Sequence, residues 1–144
     1  MIDFEVAPFI PQDWQEIDLR QWERENINVE SVYAVSSYGQ LFTVRQDGRI
    51  LALMGFWQKW DGVWEVYVYP SIHTPKYPVF YVKRVRNLLR TIARSHNMRR
   101  QQTISLADES TDRWMKALGF ECEGTLKEFT PKREDCRMWA RFNE

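Results

Sequence analysis

The stretch from Trp64 to Phe120 limits the folds open to this chain more than any other part. It opens with Trp64-Glu65-Val66-Tyr67-Val68-Tyr69, an aromatic and β-branched run that predicts a strand, and Pro70 closes it. A loop from Ser71 to Pro78 follows. Residues 79–97 predict a helix, because Tyr81, Val85, Leu88, Leu89 and Ile92 recur at helical spacing. Lys83, Arg86, Arg90 and Arg94 fall on the other side. Thr103 to Ala107 predicts a second strand. A strand, a crossover helix and a strand make a βαβ unit, so the two strands are expected to be parallel.

The next segment is the most diagnostic. Asp108 or Ser110 caps a short helix, since either side chain can accept from free first-turn amides. Trp114, Met115 and Leu118 give that helix an apolar face. Gly119 stands where the helix stops and a left-handed residue is needed, and Phe120 folds back onto it. Residues 121–129 and 135–142 then read as a closing pair of strands, with Cys122 on one and Cys136 on the other.

Upstream, Ile2, Phe4 and Val6 alternate with Asp3 and Glu5, so residues 2–7 predict an edge strand broken by Pro8 and Pro11. Gln12 to Arg24 reads as one helix, capped by Asp13, with Trp14, Ile17 and Trp22 turned inward. Residues 30–36 are either a second short helix or a linker. Tyr38-Gly39-Gln40 opens a strand through Arg45. Asp47-Gly48 and Asp61-Gly62 are turns that favour positive φ, so residues 38–69 predict an antiparallel meander of three strands.

A chain of 144 residues suits a single domain, here taken as residues 1–144, with room for a hydrophobic core. Seven tryptophans are expected mostly inside it. Two cysteines make no disulfide framework, carry no zinc spacing, and read as buried thiols in a reducing compartment. Asp3 and Glu5 interrupt the amino terminus and no apolar run reaches spanning length, so a cytoplasmic protein without a membrane anchor is expected. The net charge of zero hides an uneven distribution. Residues 1–30 hold eight acids and two bases, whereas residues 66–107 hold eight bases and no acid. Such a field attracts cofactor phosphates, nucleic acid or an acidic partner, unless it is answered by the acidic amino-terminal segment of the same chain.

Arg113-Trp114-Met115-Lys116-Ala117-Leu118-Gly119-Phe120, followed by Glu123-Gly124, resembles the carboxyl-terminal half of the GNAT acyltransferase superfamily. In order and spacing the likeness reaches from Tyr38 to Phe142. It implies an α/β (α+β) fold with a mixed central sheet of about six to seven strands and flanking helices. It also implies acetyl-CoA as cofactor and an amine acceptor. Where the family carries a glycine-rich phosphate loop, this chain has Ser71-Ile72-His73-Thr74-Pro75-Lys76-Tyr77-Pro78, with no glycine and two residues lacking an amide donor. Phosphates would then fall to side chains, with Tyr69, His73, Lys76 and Arg84 as candidates. The family's proton-donating tyrosine position holds Met115. Glu65 is the candidate general base, or else an exposed carboxylate near a turn. Tyr67 or Tyr69 is the candidate acid, or else a packed strand aromatic. His96 reads as a partner of the helix dipole.

GNAT-like proteins of tailed bacteriophages look similar: short, aromatic-rich, with an irregular loop and the same corner. That likeness implies an alternative to catalysis, an inactive fold that binds a host protein or serves as a virion component. Nucleic-acid binding ranks last, because aromatic and basic residues do not interleave on a common face. A monomer or a homodimer through the final strands is expected.

Overall fold

The computed structural model describes residues 4–73 and 78–143. Its strands form one mixed seven-stranded sheet in the order β1-β2-β3-β4-β5-β7-β6. The residues group into two compact units.

The first unit runs to Trp57 and resumes at Val66. The strand β1 (Phe4–Pro8) pairs antiparallel with β2 (Gln40–Gln46), and β2 pairs antiparallel with β3 (Arg49–Trp60). The turn between them is the expected Asp47-Gly48, at φ 50 and 80. Residues 1–3 of the predicted edge strand lie outside the described residues.

The helix expected over Gln12–Arg24 is instead two helices, α1 (Pro11–Glu16) and α2 (Gln21–Asn26). Between them the chain is extended, because Leu19 forms an antiparallel bridge with Ser71 and the Ile72 amide donates to the Asp18 carbonyl at 2.8 Å. A tertiary strand-like pairing overrides the helical periodicity there. Pro11 opens α1 rather than merely ending a strand, as its fixed φ allows. Asp13 is not the cap residue; it sits in the first turn and accepts from the Ile10 amide at 3.0 Å. Residues 30–36 belong to a helix, α3 (Val29–Tyr38), capped by the Asn28 side chain. Tyr38 thus ends a helix and does not begin a strand. The core gathers Ile17, Leu19, Val32, Val35, Leu41, Ile50, Leu53 and Tyr69. Gly55 makes that packing possible: a Cβ there would lie 2.8 Å from Val35 Cγ1.

The second unit comprises Gln58–Glu65 and the residues from Pro78 onward. The strand β4 (Val63–Pro70) pairs in parallel with β5 (Arg100–Leu106) over Val63↔Arg100, Trp64↔Gln101 and Glu65↔Gln102. The second strand of the βαβ unit therefore starts three residues before the predicted Thr103. The crossover helix is α4 (Pro78–Ser95), with Tyr81, Val85, Leu89 and Ile92 buried as the spacing predicts and Leu88 half-buried. α5 (Glu109–Ala117) is capped by Asp108, whose carboxylate accepts from the Thr111 amide at 2.7 Å; Ser110 lies inside the helix.

Gly119 takes φ 94, Phe120 returns its amide to the Met115 carbonyl at 3.1 Å, and its side chain is buried. The Tyr81 ring stacks on Trp114 with centroids 5.1 Å apart, which joins α4 to α5. β7 (Cys136–Phe142) runs antiparallel between β5 and the exposed edge strand β6 (Glu121–Leu126).

Two composition-based expectations fail in detail. Trp64 and Trp139 are buried, but Trp60 is 61 % exposed and the other tryptophans are half-buried. Cys136 is buried and Cys122 is exposed, because an edge strand has nothing packed against it.

Candidate functional site

In the second unit, Glu65 occupies the last of the three parallel β4–β5 rungs. The Gln102 amide directly across from it donates to Glu65 Oε1 at 2.6 Å, and Lys59 Nζ lies 3.8 Å from the same oxygen. Oε2 has no partner among the described residues. Gln102 in turn accepts from Arg100 Nε at 2.8 Å, and Arg100 pairs with Glu123 on β6. The Glu123 hydrogen bond raises the Arg100 pKa further and holds the Glu123 carboxyl below its usual range. Glu65 is therefore half-buried at the end of a polar chain and is not a loose surface carboxylate. Sequence reasoning found Glu65 but missed Gln102; two adjacent glutamines opening β5, one toward each face, were the available signal.

The remaining strand candidates lie in the first unit. Tyr69 is buried in its core, edge-on to Trp14 with centroids 6.2 Å apart. Burial, with a smaller contribution from Tyr67, pushes the Tyr69 phenol far above its ordinary value. Tyr69 packs within the core cluster of that unit. Tyr67 is half-buried against the same core.

His73 is drawn into its own unit: Nε2 lies 2.9 Å from Asp18 Oδ2, and Nδ1 lies 3.5 Å from Arg49 Nη1. Its amide donates to the Ser71 hydroxyl at 3.0 Å, and the neighbouring Ile72 amide is already held by Asp18. Nothing in the local pattern around Asp18 singles it out. A cavity of about 410 Å3 adjoins this region, lined by Trp14, Gln15, Ile17, Leu19, Arg24, Ile27 and Val29.

Arg84 stands exposed on α4 with its guanidinium 5.2 Å from the Phe80 ring centre. Lys76 lies outside the described residues. Met115 is buried and has no proton to give. His96 lies edge-on to Trp64, with centroids 5.6 Å apart. Burial raises the Cys136 thiol, helped by Glu134 and Asp135, which disfavours its thiolate form. No cluster of metal-binding side chains occurs among the described residues. No described helix is long and apolar enough to cross a membrane.

The sequence matches no protein-family model and no curated protein. Solved structures do match. Ard1 from Thermoplasma volcanium superimposes with a TM-score of 0.76 at 12 % identity, covering 98 % of each chain. An N-acetyltransferase from Staphylococcus aureus gives 0.74 at 14 %, over 97 % of this chain and 98 % of that one. A GNAT family acetyltransferase from Elizabethkingia anophelis with acetyl-CoA bound gives 0.71 at 11 %, over 97 % and 98 %.

The chain has the GNAT acyltransferase fold. Identities this low carry the fold alone. The residues after β4 are those at which the sequence placed the expected cofactor phosphates. Of that loop, the amides of Ile72 and His73 are committed within the chain, so they do not supply a backbone cradle. Arg84 is the described candidate side chain whose donors fit a phosphate.

Proposed function

We propose that this GNAT-fold chain is an acetyl-CoA-dependent acetyltransferase acting on an amine, with Glu65 as the proton acceptor. The observation that carries this reading is the disposition of Glu65. Gln102 fixes one carboxylate oxygen and leaves the other to receive a proton. The cofactor would supply an activated acyl group. The chain's own part is to hold Glu65 Oε2 toward the amine, so that nitrogen loses its proton as it becomes an amide. Gln102 keeps the carboxylate from rotating, and Arg84 supplies a cation for a phosphate. With Met115 at the family's tyrosine position, the leaving thiolate takes its proton from water.

Calorimetric titration with acetyl-CoA and with free CoA tests this. Micromolar binding of acetyl-CoA is expected. Glu65→Gln should keep that affinity and lower turnover of an amine acceptor by about 10²–10⁴-fold. No heat at millimolar cofactor would overturn the reading. A second reading then takes over, favoured by the commitment of the Ile72 and His73 amides: the fold serves as a binding module for a protein partner, such as a host protein or virion component, and the loop is braced for shape rather than for phosphate.

A further inference from the structure

Arg141 is the least expected charge in the second unit. It lies near the end of β7, opposite Gln101 at the start of β5 and away from Leu106 at that strand's other end. It is only 8 % exposed. Its Nη1 donates to two neutral oxygens, Gln101 Oε1 at 3.2 Å and Asn143 Oδ1 at 2.5 Å. Its Nε and Nη2 have no partner among the described residues, and no carboxylate there pairs with it.

Gln101 ties this guanidinium to the crossover helix, since its Nε2 donates to the Leu89 carbonyl at 3.0 Å. Leu89 is flanked in sequence by Arg86 and Arg90, which are four residues apart and share one exposed face of α4. Burial lowers the Arg141 pKa, and Arg90 and Arg86 lower it further, which means that both cations stand near enough to repel it. Gly119 closes the other side: a Cβ there would lie 3.2 Å from Arg141 Nε.

Arg141 is thus a buried guanidinium with no carboxylate partner among the described residues, tied through Gln101 to the turn of α4 that carries Arg86 and Arg90. A buried charge without a partner is costly, and two like charges beside it add to the cost. The other arginine side chains reaching from this half of the sheet are all answered: Arg100 by Glu123 and Arg137 by Asp112. We propose that Arg86, Arg90 and Arg141 form a binding site for a phosphate dianion, free or as a small monoester. Guanidinium forks match phosphate oxygens in geometry and charge, and a phosphate supplies the acceptors that Arg141 Nε and Nη2 lack. Gln101 and Gln102 are successive strand residues and point to opposite faces of β5, so the site is separate from the proposed acyl transfer, which rests on Glu65 and Gln102.

The test follows Arg side-chain Nε–H resonances by NMR in the full chain while inorganic phosphate is titrated against chloride at matched ionic strength. Glycerol 3-phosphate forms a parallel arm that separates free from esterified phosphate. A saturable shift of the Arg141 Nε–H with either probe is expected. Arg86→Gln and Arg90→Gln, both at exposed positions, should each weaken binding about tenfold or more, as loss of a charge-assisted hydrogen bond does. Lys83→Gln, elsewhere on the helix, should leave it within about twofold. An equal loss for Lys83→Gln, or a response that chloride reproduces, would overturn the site in favour of a diffuse basic surface. So would saturation by an oligonucleotide with no response to either monophosphate.

Discussion

Asp13 and Arg141 are both buried charges, one in each unit, and the molecule treats them in opposite ways. Asp13 is 2 % exposed and fully answered: it accepts from the Thr43 hydroxyl at 2.6 Å, from Arg45 at 2.7 Å and from the Ile10 amide at 3.0 Å. Burial alone would push its carboxyl up. The Thr43 hydroxyl, the Ile10 amide and Arg45 outweigh burial and hold it below the usual range. Arg141 has only neutral oxygens, and burial lowers its pKa, with Arg90 and Arg86 lowering it further. The contrast teaches that burial by itself does not mark a functional charge. A buried charge with its complement inside the fold is architecture. One without a complement points to a ligand.

The most forceful way to break this comparison is at Asp13. Asp13→Ala removes the carboxylate that the buried Thr43 hydroxyl and the Ile10 amide donate to, leaves Arg45 only Glu16 at 3.5 Å, and should cost about 1–3 kcal/mol of unfolding free energy for each of the two groups left unpaired, read by urea denaturation. A loss below about 1 kcal/mol would make the pair ornamental.

Arg141→Met should do the reverse. Replacing an uncompensated buried charge with an apolar side chain of similar length is expected to be neutral or stabilising by about 1–4 kcal/mol in phosphate-free buffer. The variant should also lose the stabilisation that phosphate gives the wild type. A destabilised Arg141→Met protein would mean that the charge is satisfied within the chain.

A third test is pH. The folded Asp13 pKa lies below its ordinary value of 3.8, so its contribution is present above that value and fades as pH falls through the folded pKa. Wild type should therefore lose more stability than Asp13→Asn between about pH 5 and pH 2. Parallel curves would remove Asp13 from the acid response.

The smallest effect is at Gly119. Its φ of 94 and the nearby Arg141 Nε make Gly119→Ala unfavourable by about 1 kcal/mol, read as a lowered denaturation midpoint. Because the added Cβ presses on Arg141, this substitution should also weaken phosphate binding, whereas Gly124→Ala, with open space around it, should not.

Much of the fold was legible because the signals were local. Residues 81, 85, 89 and 92 spell a helix face, Asp47-Gly48 spells a turn, and the Leu118-Gly119-Phe120 corner needs a left-handed residue where Gly119 provides it. The split of residues 12–24 into α1 and α2 was not legible. It depends on Leu19 meeting Ser71, more than fifty residues away. The same limit applied to the sites. Glu65 stood out as an acid in an aromatic strand, but its partner Gln102 is set by the parallel register of β4 and β5. His73 attracted notice as a loop histidine, and Asp18, which holds it, came from the break that the helical pattern concealed.

The sequence by itself determined the order of elements from Gln40 onward, the parallel βαβ unit, the glycine corner and the uneven charge, since each rests on side-chain periodicity or on the backbone freedom of single residues. Only the tertiary structure decided which of those charges are answered. Arg137 and Arg141 are four residues apart on one strand and chemically identical, yet one faces Asp112 and the other faces the neutral Gln101. Complementarity is a property of neighbours brought together across the sheet, and electrostatic energy depends on those distances rather than on separation along the chain.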